Sequence, residues 1–393
     1  MKITIVVCGR FHAFDLAQEL SKKNFLHSLI TSYPKFTLKN YTIPPAKIRS
    51  IYFKEFIERV IIKLNLIKIL KNSYYYINFF FDFFASKKVD YENSDIIIGW
   101  AGASKLTFLK AKNFKNCIKI LERGSTHIQF QNNILLEEYK LLGLTTNGIS
   151  KKLIEKELEE YSIADFITVP STFAKDSFLK MGFNYNKIIQ IPYGVNLNDF
   201  KPGHKKDEIF RIISAGSVSV RKGNIYLLKA FTELNLKNSE LIFVGPVDQE
   251  MKSVIRPYLS NSKIKFLGRK QQKTLCNFYT NSSIFVINSI EEGLAMVQAQ
   301  ALACGLPVIC TTNSGGEDII DHNKNGFVCK IRDVEDLKKK ILIFYEDKKT
   351  LIEFSKSASK KGKNFLSWND YGKKIIEKYA GLKKDELVRF LPD

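Results

Sequence analysis

The sequence has few of the features that mark membrane, secreted or zinc-binding proteins. It lacks a run of about 18 uninterrupted apolar residues, so a membrane-spanning helix is not predicted. Its six cysteines are scattered without a C-x-x-C pair, which is typical of buried reduced thiols and favours a cytoplasmic location. Met1 and Lys2 lead directly into Ile3 to Val7, an apolar run too short for a secretory signal peptide.

Several catalytic motifs are also missing. No D-x-D follows a strand-like run, and no group of His, Cys and Asp has the spacing of metal ligands, so we expect neither a metal ion nor another cofactor. The absence of G-x-S-x-G and of G-x-x-x-x-G-K-[ST] argues against a serine hydrolase and a P-loop NTPase.

Acidic residues are scarce relative to basic ones. With 40 Asp and Glu against 61 Lys and Arg, the formal net charge is +21. This charge attracts anionic lipids, nucleic acid or acidic substrates, although a solvated basic surface explains it equally well. No zinc finger, recognition helix or RNA-binding signature accompanies it, so a nucleic-acid partner is not predicted, and peripheral contact with an anionic membrane stays open.

The length of 393 residues, 45% of them hydrophobic, is enough for two domains with separate cores. Strand-like apolar runs recur with room for a helix between them, which predicts α/β domains with parallel sheets. The predicted strands are Ile3 to Val7, Asp95 to Ile98, Cys117 to Leu121, Phe166 to Val169, Ile188 to Ile191, Phe210 to Ala215, Glu240 to Val244, Ile264 to Leu267, Ile284 to Ile287 and Pro307 to Cys310. The turn-rich stretch from Pro192 to Gly203 is interpreted as the hinge between the domains.

The most informative segment runs from Asn288 to Ile309. Residues Met296 to Cys304 are mostly good helix formers, and Gly305 is typical of a helix end. Glu291 and Glu292 therefore stand in a loop just before a helix N-terminus, where free N–H groups attract an anion such as phosphate. Carboxylates accept hydrogen bonds from sugar or ribose hydroxyls, so the segment predicts a site for a phosphorylated, hydroxyl-rich ligand.

This segment resembles the E-x7-E region of the family 4 glycosyltransferases. Glu292 stands at the first Glu position, Gly293 follows it, and A-x-A-C-G-L-P-V-I completes the pattern. Gln300 replaces the second Glu, so a neutral amide would make the ribose contact that the family assigns to a carboxylate. The resemblance covers most of residues 1 to 380 and implies the GT-B fold, in which two Rossmann-like doubly wound α/β domains face each other across a cleft.

The segment from Ser214 to Gly223 resembles the phosphate-binding turn of the same family. Lys222 matches the family's Lys, Ser217 replaces its basic residue, and Arg221 is the candidate to supply the missing cation. Fixed Lys or Arg side chains can stabilise the charge that grows on a leaving nucleoside diphosphate without a metal. Taken alone, such a turn is more often a solvated surface loop.

Candidate residues of the first domain follow its predicted strands. A lone His such as His127 is more often structural, but related enzymes place a His there against the donor sugar. Gly9, followed by Arg10 and His12, stands where backbone amides would reach the donor or acceptor. Trp100 would line the acceptor side, although a Trp packed in the core is the commoner case.

The resemblance implies a role for each candidate. Glu292 orients the transferred sugar, Lys222 and Arg221 stabilise the leaving diphosphate, and His127 lines the reaction centre. Gln300 and Glu291 contact the ribose or neighbouring hydroxyls. The residues expected to hold the donor are Gly216, Ser217, Glu291, Gly293, Leu294, Ala295, Met296, Gln300, Gly9 and Gly316, the last in a Gly-rich loop that would close over it.

The stretch from Tyr33 to Val89 mixes basic and aromatic residues, with Lys68 to Lys71 followed by a dense aromatic run from Tyr74 to Phe84. Aromatic residues at helical spacing usually belong to a core, so a buried helix of the first domain is the first interpretation. The alternative is an interfacial helix that docks on a membrane carrying the acceptor.

These features together predict a hexosyl- or related glycosyltransferase that moves a sugar from a nucleotide-sugar donor to a hydroxyl acceptor. Retention of configuration, and an acceptor in polysaccharide, lipopolysaccharide or glycolipid assembly, are implied by the resemblance. We assign residues 1–198 to the acceptor side, 205–367 to nucleotide-sugar binding, and 368–393 to a helix and tail returning to the first domain. Ser217 and Gln300 leave open a sugar-nucleotide-binding protein with weak or no activity.

Overall fold

Two parallel sheets form the framework of the chain, whose computed structural model describes residues 1–54, 57, 73–365 and 367–389. The strands of the first sheet are β1 (Ile3–Val7), β2 (Leu26–Thr31), β3 (Ile48–Ser50), β4 (Ile96–Trp100), β5 (Ile118–Glu122), β6 (Phe166–Val169) and β7 (Ile188–Gln190). Their order is β3-β2-β1-β4-β5-β6-β7. The central strands are runs of buried Ile, Val and Leu, as expected for a sheet covered on both faces.

The second sheet follows the interdomain linker. Its strands are β8 (Phe210–Ala215), β9 (Ser239–Val244), β10 (Ile264–Phe266), β11 (Ile284–Ile287), β12 (Val308–Thr311) and β13 (Gly326–Cys329). Their order is β10-β9-β8-β11-β12-β13, with parallel pairing throughout the described part. The strand order reverses between β1 and β4 in one sheet and between β8 and β11 in the other, so both domains are doubly wound and each has a crevice at the carboxyl ends of these strands.

Helices cover both faces of the two sheets. They are α1 (Ala13–Lys22), α2 (Ser73–Lys88), α3 (Lys105–Ala111), α4 (Ile128–Leu141), α5 (Lys151–Ile163), α6 (Thr172–Lys180), α7 (Asn224–Leu234), α8 (Met251–Ile255), α9 (Gln272–Thr280), α10 (Met296–Ala303), α11 (Val334–Glu346), α12 (Lys348–Phe365) and α13 (Trp368–Arg389). Helix α12 packs against α10 of the second domain, whereas α13 packs against α1 of the first. Val195 of the linker pairs with Ser367, so the chain crosses between the domains twice, side by side.

All ten predicted strands are confirmed within two residues at each end, but β2, β3 and β13 were not predicted. His27 and Ser28 interrupt the apolar run of β2, and the buried Ser28 hydroxyl lies 3.3 Å from that of Thr4. Strands β3 and β13 are short and lie at sheet edges, where the periodic apolar signal is weak.

Helix α2 is neither wholly buried nor wholly interfacial. Ile77, Phe81 and Ala85, spaced four residues apart, are buried in the first domain. Several aromatic side chains are exposed: Tyr74, Tyr76, Phe80, Phe83 and Phe84. Lys68 to Lys71 lie outside the described residues. None of the helices in the described ranges combines the length and apolar character needed to cross a membrane.

Candidate active site

A cavity of about 500 Å³ lies in the cleft between the carboxyl ends of the two sheets. The loops after β1, β4 and β5 form its first-domain wall, and the loops after β8 and β11 with the first turn of α10 form the opposite wall. Ligands of doubly wound sheets bind at this position. A larger, more open cavity of about 840 Å³ lies beside β13 and α11, away from these strand ends.

Three charged side chains predicted for the site meet on the second-domain wall. The ammonium group of Lys222 forms an ion pair with Glu292 Oε2, and Arg221 Nη2 lies 3.5 Å from Glu292 Oε1. The side chains of Lys222 and Glu292 are only 16% and 15% exposed, so water screens their charges weakly. The structure therefore brings together a carboxylate and two cations from two separate loops.

The loops after β8 and β11 are fixed relative to each other and to α10. The carbonyl of Arg221 accepts a hydrogen bond from the N–H of Ile290 at 2.9 Å. Gly216 has a φ of 125°, a conformation that requires glycine, and it faces the Lys222 side chain. Ala295 precedes α10 and has no polar side-chain atom to cap the helix. The N–H of Gln298 donates to the Ala295 carbonyl at 3.0 Å, which leaves the N–H groups of Met296 and Val297 for an anion.

The residues after Glu292 divide between the cavity and the domain contact. Leu294, Ala295 and Met296 line the cavity. Gly293 faces the first domain, where a Cβ atom would lie 2.2 Å from the carbonyl oxygen of Gly124. A residue larger than glycine at position 293 would therefore push the two domains apart.

Glu291 does not face the cavity, contrary to the predicted contact with donor hydroxyls. It is fully buried, and its oxygens accept hydrogen bonds from Ser125, Thr126 and Gln131 of the first domain and from Arg221 Nε. Burial alone would raise the pKa of Glu291, but the charge of Arg221 and the hydrogen bonds from Ser125 and Thr126 lower it to about 2. Glu291 is thus an interdomain contact.

His127 lies in the core of the first domain and not in the cavity wall, where its predicted role would place it. The side chain is 2% exposed, and its ring lies 5.1 to 5.4 Å from the rings of Tyr161, Phe178 and Phe183. Its Nδ1 accepts a hydrogen bond from the N–H of Gln129 at the start of α4. Burial, with the charge of a nearby arginine, lowers the pKa of His127 to about 4, which favours the neutral ring.

The remaining predicted donor contacts are untested and stay predictions. Gln300 is buried in α10, and its amide oxygen accepts a hydrogen bond from the Tyr279 hydroxyl at 3.4 Å. Ser217 is partly exposed at the end of β8. Gly9 and Gly316 are buried in the loops after β1 and β12.

The first-domain wall contains a polar cluster that no local sequence pattern revealed. His12 Nε2 lies 3.4 Å from Glu122 Oε2, and the His12 ring lies 4.2 Å from the ring of Tyr193. The ring of Trp100 is 5.2 Å from that of His12. A usable signal existed in the carboxylate of Glu122, because it follows the apolar pair Ile120 and Leu121 and ends strand β5 at the crevice.

The loop that carries Trp100 is held by a buried carboxylate of α5. Glu160 accepts hydrogen bonds from the backbone N–H groups of Gly102, Ser104 and Lys105. The loop after β4 therefore has a fixed conformation. Trp100, the last residue of β4, lines the cavity, and its contact with an acceptor stays a prediction.

Further contacts join the domains around the cavity. The fully buried Glu138 of α4 accepts hydrogen bonds from Tyr226 and Arg332 of the second domain, both at 2.7 Å. Asp318 accepts two from Thr172 of the first domain. Within the described ranges, no group of three or more His, Cys, Asp or Glu is arranged to hold a metal ion.

Comparison with known proteins identifies what this arrangement resembles. Residues 196–364 match the family model described as Glycosyl transferases group 1. The matches support a GT-B glycosyltransferase. An uncharacterized glycosyltransferase of Haemophilus influenzae is 29% identical over 258 residues, which are 64% of this chain and 69% of that protein.

Solved structures show that the fold is GT-B, as predicted. Sucrose-phosphate synthase of Thermosynechococcus elongatus has a TM-score of 0.71 at 16% identity, covering 97% of this chain and 99% of that one. Anabaena HepE in complex with UDP and glucose has a TM-score of 0.69 at 15% identity, covering 97% and 100%. The narrower assignment to family 4, with its E-x7-E motif, stays a prediction.

Proposed function

We propose that this GT-B protein transfers a sugar from a nucleotide-sugar donor to a hydroxyl acceptor. The observation that carries the proposal is the meeting of Arg221, Lys222 and Glu292 beside the N-terminus of α10. These groups line a cleft whose opposite wall belongs to the other domain, so a donor and an acceptor can approach each other from the two sides.

In the proposed complex the diphosphate lies against the first turn of α10. Its N–H groups and the cations of Lys222 and Arg221 oppose the negative charge that grows on the β-phosphate as the sugar leaves. Glu292 accepts hydrogen bonds from hydroxyls of the sugar and so orients its anomeric carbon. HepE, which shares the fold, was solved with UDP and glucose, and this supports uridine nucleotides as the first donors to test.

The proposal also includes properties implied by the family resemblance. These are retention of anomeric configuration, transfer without a metal, and an acceptor from polysaccharide, lipopolysaccharide or glycolipid assembly. The two cations beside Glu292 support the second property, because fixed positive charge can do the work of a metal on the leaving group.

Peripheral contact with an anionic membrane is the remaining part of the proposal. Phe36 and Tyr52 are 67% and 66% exposed on the first domain. They line one surface cavity together with the basic side chains of Lys35, Arg49 and Lys88. Exposed aromatic rings beside basic groups suit the interface between lipid headgroups and acyl chains.

A panel of nucleotide sugars, with the matching sugar 1-phosphates as controls, tests the donor. A nucleotide sugar that binds the folded state raises the unfolding midpoint by mass action, and we expect it to release its nucleoside diphosphate when an acceptor is supplied. If no nucleotide sugar shifts the midpoint, the proposal is wrong. Binding without turnover under any acceptor would favour the sugar-nucleotide-binding protein without activity.

A further inference from the structure

We infer that Glu122, His12 and Tyr193 form the acceptor site, and that they bind neighbouring hydroxyl groups of a sugar ring. The inference rests on the proposed transferase function and adds the chemical class of the acceptor end that enters the cleft. Glu122 ends β5, His12 lies in the loop after β1, and Tyr193 belongs to the interdomain linker.

The first observation is that these polar atoms are buried without a hydrogen-bond partner, although His12 Nε2 lies 3.4 Å from Glu122 Oε2. Among the described residues, both carboxylate oxygens of Glu122, Nε2 of His12 and the hydroxyl of Tyr193 make no hydrogen bond. Their side chains are at least nine-tenths buried, with relative exposures of 1%, 6% and 7%. Buried polar groups normally make hydrogen bonds, so four such atoms without one, all on side chains that line the cavity, indicate partners supplied by a ligand.

The second observation is that all three side chains line the cleft cavity, across from Lys222 and Glu292. An acceptor bound there would lie between the first-domain wall and the transferred sugar. Glycine at position 124 leaves room at this point, because a Cβ there would lie 3.0 Å from the Tyr193 hydroxyl oxygen.

The chemistry of the cluster selects the ligand. A carboxylate only accepts hydrogen bonds, so the two oxygens of Glu122 require two donors, and adjacent hydroxyls of one ring supply them. A phosphate at this position would be repelled by Glu122, and a simple alcohol would leave one of its oxygens unpaired. The ring of Trp100, beside His12, offers a flat apolar surface for the carbon face of a sugar.

The test measures release of nucleoside diphosphate from the donor that the nucleotide-sugar panel selects. The reaction is run in water alone, with a series of methyl hexosides, and with propan-1-ol as the single-hydroxyl comparison. Glu122→Gln, His12→Gln and Tyr193→Phe are compared with wild type. The unfolding midpoint and donor Kd of each variant show whether it is folded.

We expect at least one methyl hexoside to accelerate release and form a disaccharide, while propan-1-ol does not. Glu122→Gln should lower kcat/KM for that hexoside by about tenfold to a hundredfold, the effect of losing a hydrogen bond to a charged group. The donor Kd should stay unchanged, so that the loss lies in hexoside transfer rather than in donor binding. The matched control is Tyr371→Phe, which removes another buried hydroxyl without a hydrogen bond, on a ring that packs against His12 and Tyr193 but does not line the cavity.

Three results would overturn the inference: indifference of the wild type to every hexoside, unchanged hexoside transfer in Glu122→Gln, or an equal loss in Tyr371→Phe. The last would show that the variants disturb packing rather than acceptor binding. Failure of the wild type to bind or cleave any nucleotide sugar would instead contradict the proposed function itself.

Discussion

Arg221 links the domain contact to the wall of the candidate active site. Its Nε donates to Glu291 Oε2 at 2.8 Å and its Nη2 to Ser125 Oγ of the first domain at 3.1 Å, while Nη2 also lies 3.5 Å from Glu292 Oε1. The same cation therefore neutralises a buried interdomain carboxylate and contributes positive charge to the cavity. We expect donor binding and domain closure to be coupled through it.

The contact of Glu291 predicts a specific pH dependence of stability. Lowering its pKa from 4.5 to about 2 corresponds to about 3 kcal/mol in favour of the folded state. Because the folded-state pKa is below the unfolded one, this stabilisation is complete above pH ~4.5 and is lost as the pH falls through about 2. Glu291→Gln should therefore be less stable than wild type near neutral pH, with the difference shrinking in acid.

Chemical denaturation at a series of pH values measures this difference. Glu137→Gln is the matched control, because Glu137 also pairs with an arginine but is 58% exposed, and we expect a change below about 1 kcal/mol. If the free energies of unfolding of wild type and Glu291→Gln differ by the same amount at every pH down to 2, Glu291 is not the ionised interdomain contact described above.

Lys222 should carry much of the transition-state stabilisation. We expect Lys222→Ala to lose about 2 to 4 kcal/mol, or roughly 30- to 1,000-fold in kcat, because Arg221 would then be the one cation of this pair left beside the leaving diphosphate. Lys222→Arg should retain part of the activity. Lys229→Ala removes an exposed lysine of α7 and should turn over normally. Wild-type turnover in Lys222→Ala would refute the role.

His127 should destabilise the protein in mild acid. Its folded-state pKa of about 4 is below the ordinary 6.5, so the unfolded state binds a proton first and stability falls as the pH drops from 6.5 to about 4. Asn accepts the same type of helix-capping hydrogen bond without titrating. Between pH 6.5 and about 4, the free energy of unfolding of His127→Asn should therefore fall by about 1 to 3 kcal/mol less than that of the wild type, as measured by denaturant titration. If both proteins lose the same stability, a group other than His127 takes up the proton that destabilises the fold.

Membrane contact should depend on the exposed rings of the first domain. The double substitution Phe36→Ser and Tyr52→Ser should lower the affinity for phosphatidylserine vesicles, measured by sedimentation, by roughly tenfold. Each substitution removes apolar area that the ring would bury at the membrane interface. Leu259→Ser changes a similarly exposed apolar residue of the second domain and is the control. Binding that survives the double substitution, or that is equal on neutral vesicles, would rule out this surface.

Much of the fold was predictable from short stretches of sequence. The apolar runs at β1, β4 and β8 are long enough to identify central strands, whereas β2 escaped because a buried Ser and a His break its pattern. The loop with Lys222 and the loop with Glu292 could also be placed at the cleft from the sequence, because a helix start, a glycine and charged residues follow one another there without gaps.

The sequence by itself determined two doubly wound sheets and the two loops that carry Lys222 and Glu292, because these are encoded by neighbouring residues. Only the tertiary structure decided which charged side chains join the two domains and which line the cavity. Glu291 and Glu292 are adjacent, yet one is buried against Ser125 and the other lines the cavity, because the chain bends at Ile290 and Glu291 and directs the two side chains to different sides of the loop. The cluster around Glu122 arises from three distant segments and exists only once the sheet and the linker have packed together.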